Sequence, residues 1–362
     1  METNQELYSD LAIPPGEYLL EVTEELEMPQ SELARRMGRP IQAISEIIKG
    51  HKAITPETAL QLEEVVRVPA HIWTGMEAEY QLAKARKDFA RQIEVEAESV
   101  SLFPYKEMAQ LGLVRSTRNP IEKVKELRRF FGVAALGLIK EVRSYAPAFR
   151  QSNTEKVSHE ALAAWLRAAD LAAQRAETQP FDAKRLKALL PELRALTRTP
   201  PETFIPRLRL LLAECGVAFV LQPHLKGTYT NGATYWARKD KAVLIMTIRG
   251  GWADIFWFSL FHELGHILLH DKRHMFLENK NSEPEWRQQE EEADRFAQQT
   301  LIPDADYQNF VARETAFSSR SIKSFAESVG ICAGVVTGRL QHDDKLPHTR
   351  NPHRSRLKWT EC

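Results

Sequence analysis

The sequence has few cysteines and no long apolar run, and both absences restrict what the chain can be. Its cysteines, Cys215, Cys332 and Cys362, are far apart and form no C-x-x-C pair. This spacing argues against a disulfide scaffold or a cysteine zinc site and fits a reducing cytoplasm. No run of about 18 apolar residues is present, so the sequence predicts no membrane span. The acidic, polar start METNQELYSD is not that of a signal peptide, and we expect a cytoplasmic protein.

Net charge is also absent, because 49 basic residues balance 49 acidic ones. Any contact with nucleic acid must therefore come from a local basic patch. The hydrophobic content of 43% and the charged content of 27% are ordinary for a globular protein. A length of 362 residues is enough for two or three domains.

Such a patch follows an acidic beginning. Residues 1–29 hold eight acids and no Lys or Arg, whereas residues 30–55 hold five bases and two acids. Residues 29–55, PQSELARRMGRPIQAISEIIKGHKAIT, predict two short helices joined by a turn at Gly38, with Ile41, Ile44, Ile47 and Ile48 on one packing stripe. This pattern is typical of a helix-turn-helix, whose second helix enters the DNA major groove.

The polar face of the second helix and its flanks carry the predicted DNA contacts. These residues are Arg39, Gln42, Ser45, Glu46, Lys49 and Lys52. The bases suit phosphate oxygens, and the other polar side chains suit base edges. A helical module that only dimerises would show the same apolar stripe.

The run from Pro14 to Val66, with HIW shortly after it, resembles the Xre-type helix-turn-helix of the HigA antitoxin group. The similarity extends over about the first 80 residues of the 362. It implies a homodimer that binds operator DNA and represses a promoter, often its own. HigA proteins also neutralise a small RNase toxin, although many relatives have no toxin.

The middle of the chain, residues 81–200, is predicted to be helical and contains no catalytic constellation. NPIEKVKELRRFFG has Asn119 as a helix cap, Pro120 in the first turn and Gly132 at the end. We interpret this region as a scaffold. Residues 85–99, ARKDFARQIEVEAES, are charged and are the best candidate for an exposed linker.

From Pro201 the pattern changes to that of a mixed domain. A helix ending at Gly216 precedes the apolar run VAFVLQ, which predicts a strand. A hairpin is predicted from Thr234–Arg238 and Ala242–Ile248, and an edge strand at Thr234–Arg238 would be able to hold a peptide by strand addition. The next run, ADIFWFSLFHELGHILLH, is apolar on nearly all sides and predicts a buried helix.

That buried helix carries His262, Glu263 and His266. Residues four apart point the same way on a helix, so the two histidines can offer nitrogens to one tetrahedral zinc ion. Glu263 lies just off that face, where it can hold a water at the metal. This is the H-E-x-x-H pattern of zinc peptidases, although two histidines with satisfied hydrogen bonds in a core would leave the same pattern.

A third metal ligand is expected from EEEADRFAQQTLIP, which predicts a second helix. We favour Glu290 because Asp294 lies one turn later, where it can orient a ligating histidine from behind. Glu291 and Glu292 compete for the ligand role, and the surplus acids suit a solvated face. His270 and His274 are predicted to lie at the rim of the site, with a substrate role open.

FWFSLFHELGHILLH and EEEADRFAQQTLIP together resemble the ImmA/IrrE metallopeptidase family, over roughly residues 200–305. The resemblance implies a gluzincin-like fold, in which a small twisted sheet packs on the H-E-x-x-H helix. It implies that His262, His266 and Glu290 bind Zn²⁺, that Glu263 is the catalytic base and that Asp294 is the second-motif acid. Family members cut a partner repressor.

The C-terminal segment SIKSFAESVGICAGVVTGRLQ repeats the spacing of the first helix-turn-helix, but its outer face has little to offer DNA. We interpret it as a packing module. The basic tail HTRNPHRSRLKW would either touch DNA or be mobile. The predicted domains are therefore 1–80 for DNA, 81–200 for the helical scaffold, 201–318 for the peptidase and 319–362 for packing.

The sequence thus predicts a mainly helical α+β protein. Its expected function is that of a DNA-binding regulator with a zinc endopeptidase that cuts a repressor or itself. The alternative is a HigA-type antitoxin whose peptidase-like domain binds a toxin or a signal without proteolysis.

Overall fold

The computed structural model describes residues 12–142, 157–270, 276–277, 284–314 and 316–358. The chain divides into two compact units, Met1–Glu98 and Ser99–Cys362. No helix within those described ranges has the length and apolar character needed to cross a bilayer. Helices dominate and a small sheet is confined to the second unit, so the prediction of a mainly helical α+β fold is confirmed.

In the described part of the first unit, residues 12–98, five helices enclose one core with their apolar faces. Leu19, Leu33, Ile44, Leu62 and Trp73 are fully buried there. Gly38, at a φ of 64°, forms the turn between the second and third helices, as the helix-turn-helix pattern predicted. The helices are α1 (Pro15–Glu25), α2 (Gln30–Arg36), α3 (Ile41–Ile48), α4 (Pro56–Val66) and α5 (Ala70–Glu96).

One predicted core position is wrong. Ile41 was assigned to the packing stripe of α3, but its side chain is 54% exposed. The buried residues of α3 are Ala43, Ile44 and Ile47. Ile41 is the first residue of the helix, and the core that buries Ile44 does not extend as far as this end.

The segment predicted as a linker, residues 85–99, is helical. It continues α5 to Glu96 and then enters a 3-10 turn, Ala97–Leu102. Residues 84–92 are all exposed. The boundary between the two compact units falls within this turn.

The second unit begins with helices whose ends follow the sequence signals. Asn119 accepts hydrogen bonds from the backbone N–H groups of Ile121 and Glu122, and Gly132 ends that helix in the left-handed region at a φ of 69°. Both predictions are confirmed. The helices are α6 (Tyr105–Gln110), α7 (Pro120–Phe131), α8 (His159–Arg175), α9 (Ala183–Ala195) and α10 (Pro201–Ala213).

The sheet has the strand order β1-β3-β2-β4. Its strands are β1 (Val217–Leu221), β2 (Gly232–Arg238), β3 (Lys241–Met246) and β4 (Phe276–Leu277). β2 and β3 form the predicted antiparallel hairpin, and β1 runs parallel to β3. β4 pairs with Ala233 and Thr234. The prediction of an edge strand is therefore wrong at Thr234, where β4 already occupies that side.

A long buried helix, α11 (Ala253–Leu269), packs against this sheet. It is followed by α12 (Pro284–Leu301), α13 (Asp304–Arg313), α14 (Ser319–Val329) and α15 (Ala333–His342). Ile322 and Val336, from the last two helices, share one core with Leu260 of α11 and Leu244 of β3. The C-terminal helices are thus part of the packing around α11.

The basic tail also packs on α11. The backbone N–H of Leu357 donates to the carbonyl of Gly251 at 2.6 Å, and that of Ala253 donates to the carbonyl of Ser355 at 3.1 Å. The guanidinium groups of Arg354 and Arg356 lie over the ring of Trp252, 4.2 and 4.4 Å from its centroid. The described tail residues are therefore held at the N-terminal end of α11, and neither sequence-based alternative described this contact.

Candidate metal centre and DNA-binding face

A glycine allows the two helices of the candidate metal centre to approach closely. Gly265 lies on α11 between the two histidines, and a Cβ added there would be 3.2 Å from the Cα of Ala293 on α12. A larger residue at position 265 would push the helices apart. The close approach brings the first turns of the described part of α12 beside the polar face of α11.

Three side chains meet at this crossing. The Nε2 atoms of His262 and His266 are 2.9 Å apart. Oε2 of Glu290 lies 3.3 Å from Nε2 of His262, and Oε1 lies 3.4 Å from Nε2 of His266. Within the described part of the chain, these three residues are the group of His, Cys, Asp or Glu side chains close enough to hold a metal ion.

The triangle of donor atoms fits a zinc ion. Ligands at about 2.0–2.1 Å in a tetrahedron lie roughly 3.3 Å from one another, close to the three separations found. Two imidazole nitrogens with one carboxylate oxygen are also a donor set that zinc prefers, and three protein ligands leave a position open.

The charges of the three side chains are strongly coupled. Burial disfavours the charged form of His262, but hydrogen bonds to Asp294 and Glu290 outweigh it and raise its pKa to about 11. Burial, together with the neighbouring charge of His262, lowers the pKa of His266 to about 4. Burial also opposes the charge on Glu290, yet its contacts with the two histidines lower its pKa to about 2. The contacts of this cluster thus favour the charged forms of His262 and Glu290 and the neutral form of His266.

Asp294 contacts the outer nitrogen of the first histidine. Nδ1 of His262 donates to Oδ1 of Asp294 at 2.8 Å. This bond leaves Nε2 pointing toward Glu290, and it fixes the orientation of the ring. The spacing Glu290–Asp294 therefore gives one carboxylate in front of the histidine and one behind it.

Glu263 is completely buried, and its pocket depends on a glycine in the sheet. A Cβ at Gly232, the first residue of β2, would be 2.8 Å from Cγ and from Oε1 of Glu263. Any larger side chain at position 232 would displace the carboxylate. The sequence analysis did not identify Gly232, because a glycine at the start of a predicted strand is also explained by the preceding turn.

The remaining polar residues are arranged differently from the prediction. The side chain of His270 is only 3% exposed, with Nδ1 located 2.9 Å from Nδ1 of His266. Nε2 of His270 lies 3.2 Å from Oε2 of Glu292. The prediction of a rim position is therefore wrong for His270. Glu292 keeps a solvated position, with its side chain 38% exposed, and it also contacts His270; Glu291 is exposed. His274 lies outside the described residues.

In the first unit, the predicted DNA-contacting residues share the outer side of α3 and the turn that follows. Gln42, Lys49 and Lys52 are exposed, whereas Ser45 and Glu46 are half-buried. Nε2 of Gln42 donates to Oε1 of Glu46 at 3.1 Å. In this arrangement the amide and the carboxylate orient each other.

Arg39 and Ile41 differ from the expectation. Nε of Arg39 donates to Oε1 of Gln61 on α4 at 2.5 Å. Arg39 therefore connects the start of α3 to α4 within the module. Ile41, expected in the core, instead projects beside Gln42 at the start of α3. An exposed apolar side chain at this end of a recognition helix suits the methyl group of thymine. Helical periodicity placed Ile41 on the buried face, and only the structure shows that its side chain is exposed.

Comparison with known proteins identifies two families in separate parts of the chain. Residues 19–73 match the helix-turn-helix family model, and residues 255–340 match the IrrE N-terminal-like domain. The first match covers α2 and α3, and the second covers α11 and the described part of α12.

Among individual proteins, residues of this chain are 32% identical over 73 positions to the uncharacterised HTH-type transcriptional regulator YddM of Escherichia coli K12, covering 20% of this chain and 78% of that protein. A crystal structure of a putative antidote protein of a plasmid maintenance system from Nostoc punctiforme is 24% identical, covering 23% of this chain and 90% of that one, with a TM-score of 0.22. A HigA-family addiction module antidote protein from Coxiella burnetii is 29% identical, covering 24% and 94%, also with a TM-score of 0.22. The chain therefore belongs to the Xre-type helix-turn-helix transcriptional regulators, and it carries an ImmA/IrrE-family domain in its C-terminal unit.

Proposed function

We propose that this regulator binds operator DNA as a homodimer and that its C-terminal unit is a zinc endopeptidase that cuts a specific protein. The observation that carries the peptidase proposal is the triangle of His262, His266 and Glu290, with edges of 2.9, 3.3 and 3.4 Å, beside a completely buried Glu263. Complete burial of a carboxylate in an apolar helix is unfavourable in free energy. This favours a chemical role for Glu263 over a role in packing.

In this proposal His262 and His266 would hold the zinc ion through their Nε2 atoms, and Glu290 would hold it through a carboxylate oxygen. Zinc, when bound, supplies Lewis acidity that polarises the scissile carbonyl. Glu263 acts as the general base: it takes a proton from the attacking water onto a carboxylate oxygen and passes it to the leaving amine. Gly232 leaves the space in which that carboxylate stays.

The substrate proposed here is a separate protein, in preference to the chain itself. An endopeptidase binds its substrate in an extended form. Residues 85–96, where self-cleavage would separate the two units, are part of the helix α5. They would have to unwind before they could be cut, whereas an unstructured segment of a partner repressor needs no such step.

For DNA, we propose that the outer face of α3 enters the major groove. Lys49 and Lys52 are exposed and suit phosphates. Gln42 suits an adenine edge, and its loss should cost about 1–3 kcal/mol at one base pair. Arg39, which bonds to Gln61, would act mainly by holding the fold of the module.

The peptidase proposal is tested with the full-length chain and its Glu263→Gln variant. Zinc content is measured by elemental analysis, and intact mass is followed with and without cell extract and operator DNA. We expect about one zinc per chain in both proteins, because Glu263 is not a ligand, and loss of a protein from the extract only with the wild type. His262→Ala should lose the metal.

Three outcomes separate the alternatives. A Glu263-dependent fragment of the chain itself would replace cleavage in trans with self-cleavage. Full zinc occupancy in His262→Ala would refute the ligand assignment. Zinc retained with no cleavage of any protein would favour the HigA-type alternative, in which the domain binds a partner such as a small RNase toxin, and co-purification with that toxin would support it.

A further inference from the structure

The two histidines of the candidate metal centre differ in the hydrogen-bond partner of the Nδ1 atom, which points away from the metal position. Nδ1 of His262 reaches the carboxylate of Asp294 directly. Nδ1 of His266 instead reaches another imidazole, that of His270, at 2.9 Å. His270 in turn reaches Oε2 of Glu292 at 3.2 Å. A carboxylate thus stands behind each histidine, in one case with a ring in between.

The protons in the hydrogen-bonded series His266–His270–Glu292 can be assigned by starting from the carboxylate of Glu292, which is its last acceptor. The amide of Gln288 can only donate to Oε1 of Glu292, and the second oxygen of a carboxylate is likewise an acceptor. Nε2 of His270 must then donate, which leaves Nδ1 of the neutral ring as an acceptor. His266 must therefore donate from Nδ1, and its Nε2 carries a lone pair directed at His262 and Glu290. That nitrogen is the one a metal needs.

The position of Glu292 is itself fixed. Nε2 of Gln288 donates to Oε1 of Glu292 at 2.8 Å, while Oε2 receives His270. Both oxygens of the carboxylate are therefore engaged, one along α12 and one across to α11. The series is continuous from the surface of α12 to the buried ring of His266.

We propose that His270, oriented by Glu292, is a positioning residue that sets the tautomer and ring orientation of His266 for metal binding. This inference depends on the proposed zinc site and adds two residues to it. Partners of this kind behind a ligating histidine change metal affinity by about 10–100-fold. A substrate contact at the rim would change the affinity for substrate and leave the metal unaffected.

The test measures zinc affinity by competition with a chromophoric chelator, together with the visible absorption of the cobalt(II)-substituted full-length protein. His270→Phe keeps a ring but removes the acceptor, and it should weaken zinc binding by about 10–100-fold and shift the cobalt bands. His270→Asn keeps an acceptor near the position of Nδ1 and should restore much of the affinity. Glu292→Ala should weaken binding, and its exposed neighbour gives the matched control, Glu291→Ala, which should not.

The outcomes separate this inference from the proposal on which it depends. Zinc affinity within about twofold of wild type and an unchanged cobalt spectrum in His270→Phe would overturn the positioning role while the metal site stands. Absence of zinc binding in the folded wild type would overturn the metal site and the positioning role together. If His270→Phe does not fold, Glu292→Ala decides, because equal affinity in Glu292→Ala and Glu291→Ala would also overturn the inference.

Discussion

Replacing Arg354 with alanine should destabilise the C-terminal unit by about 3–5 kcal/mol, because it leaves a buried carboxylate without its counter-charge. Nε and Nη2 of Arg354 donate to the two oxygens of Asp254 at 2.9 and 2.7 Å. The two side chains are only 9% and 7% exposed. Gly338 keeps the space for this pair, since a Cβ there would be 2.5 Å from Oδ2 of Asp254.

Arg356→Ala provides a matched control. Both guanidinium groups lie over Trp252 at similar distances, but Arg356 is exposed and the bond to Asp254 is made by Arg354. An exposed cation–π contact is worth about 0.5–1 kcal/mol. The difference between the two variants therefore separates the stacking from the buried polar contacts of Arg354, which are the ion pair with Asp254 and the hydrogen bond from Nη1 to Oε1 of Gln341 at 2.9 Å.

The assay is calorimetric melting of the full chain. The two compact units can melt separately, and the transition that added zinc shifts upward is the one that contains the metal centre. For a unit of this size, the loss corresponds to a fall in Tm of roughly 10 °C for Arg354→Ala and of about 1–4 °C for Arg356→Ala. Asp254→Asn combined with Arg354→Met should recover most of the loss, because no buried charge remains. Equal shifts in Arg354→Ala and Arg356→Ala would refute the reasoning.

Four further predictions concern the candidate peptidase site and the helix-turn-helix unit. Gly232→Ala should keep zinc but abolish any cleavage by the peptidase, since the new Cβ displaces Glu263; zinc analysis and the cleavage assay check this, and full activity would contradict it. Ile44→Ala should lower the free energy of unfolding of the first unit by about 2–5 kcal/mol. Ile41→Ala should leave it unchanged and instead weaken binding to a duplex selected from random DNA, an effect that should shrink when thymines are replaced by uracils. Lys49→Ala should reduce the slope of log affinity against log salt by about 1; an unchanged slope in titrations would argue against a phosphate contact.

Much of the architecture could be predicted because the signals are local. The cap at Asn119 and the end of its helix at Gly132 depend on backbone groups within one turn. The hairpin of β2 and β3 follows from two apolar runs on either side of a short polar turn. The four-residue spacing of His262 and His266 fixes their common face by helix geometry alone.

The prediction for Ile41 was wrong because periodicity describes a helix and not its surroundings. The positions of Ile41, Ile44 and Ile48 share one side of α3, but the core extends only as far as the neighbouring helices do, and it excludes Ile41. The edge of the sheet was mispredicted for the same reason. The two-residue strand β4 pairs with Thr234, and no local sequence pattern predicts that pairing.

The sequence by itself determined which residue types the chain offers and which share a face: a histidine pair on an apolar helix, and a short acidic run on another. Only the tertiary structure decided which acid of that run stands beside the histidines, which one stands behind His270, and that Gly232 lies against Glu263. It also decided that the basic tail packs on Trp252. These contacts join residues far apart in sequence, and they depend on how closely two helices or a helix and a strand can approach. That distance depends on how the two surfaces pack together, as at Gly265 and Ala293, and it cannot be predicted from the sequence of either surface alone.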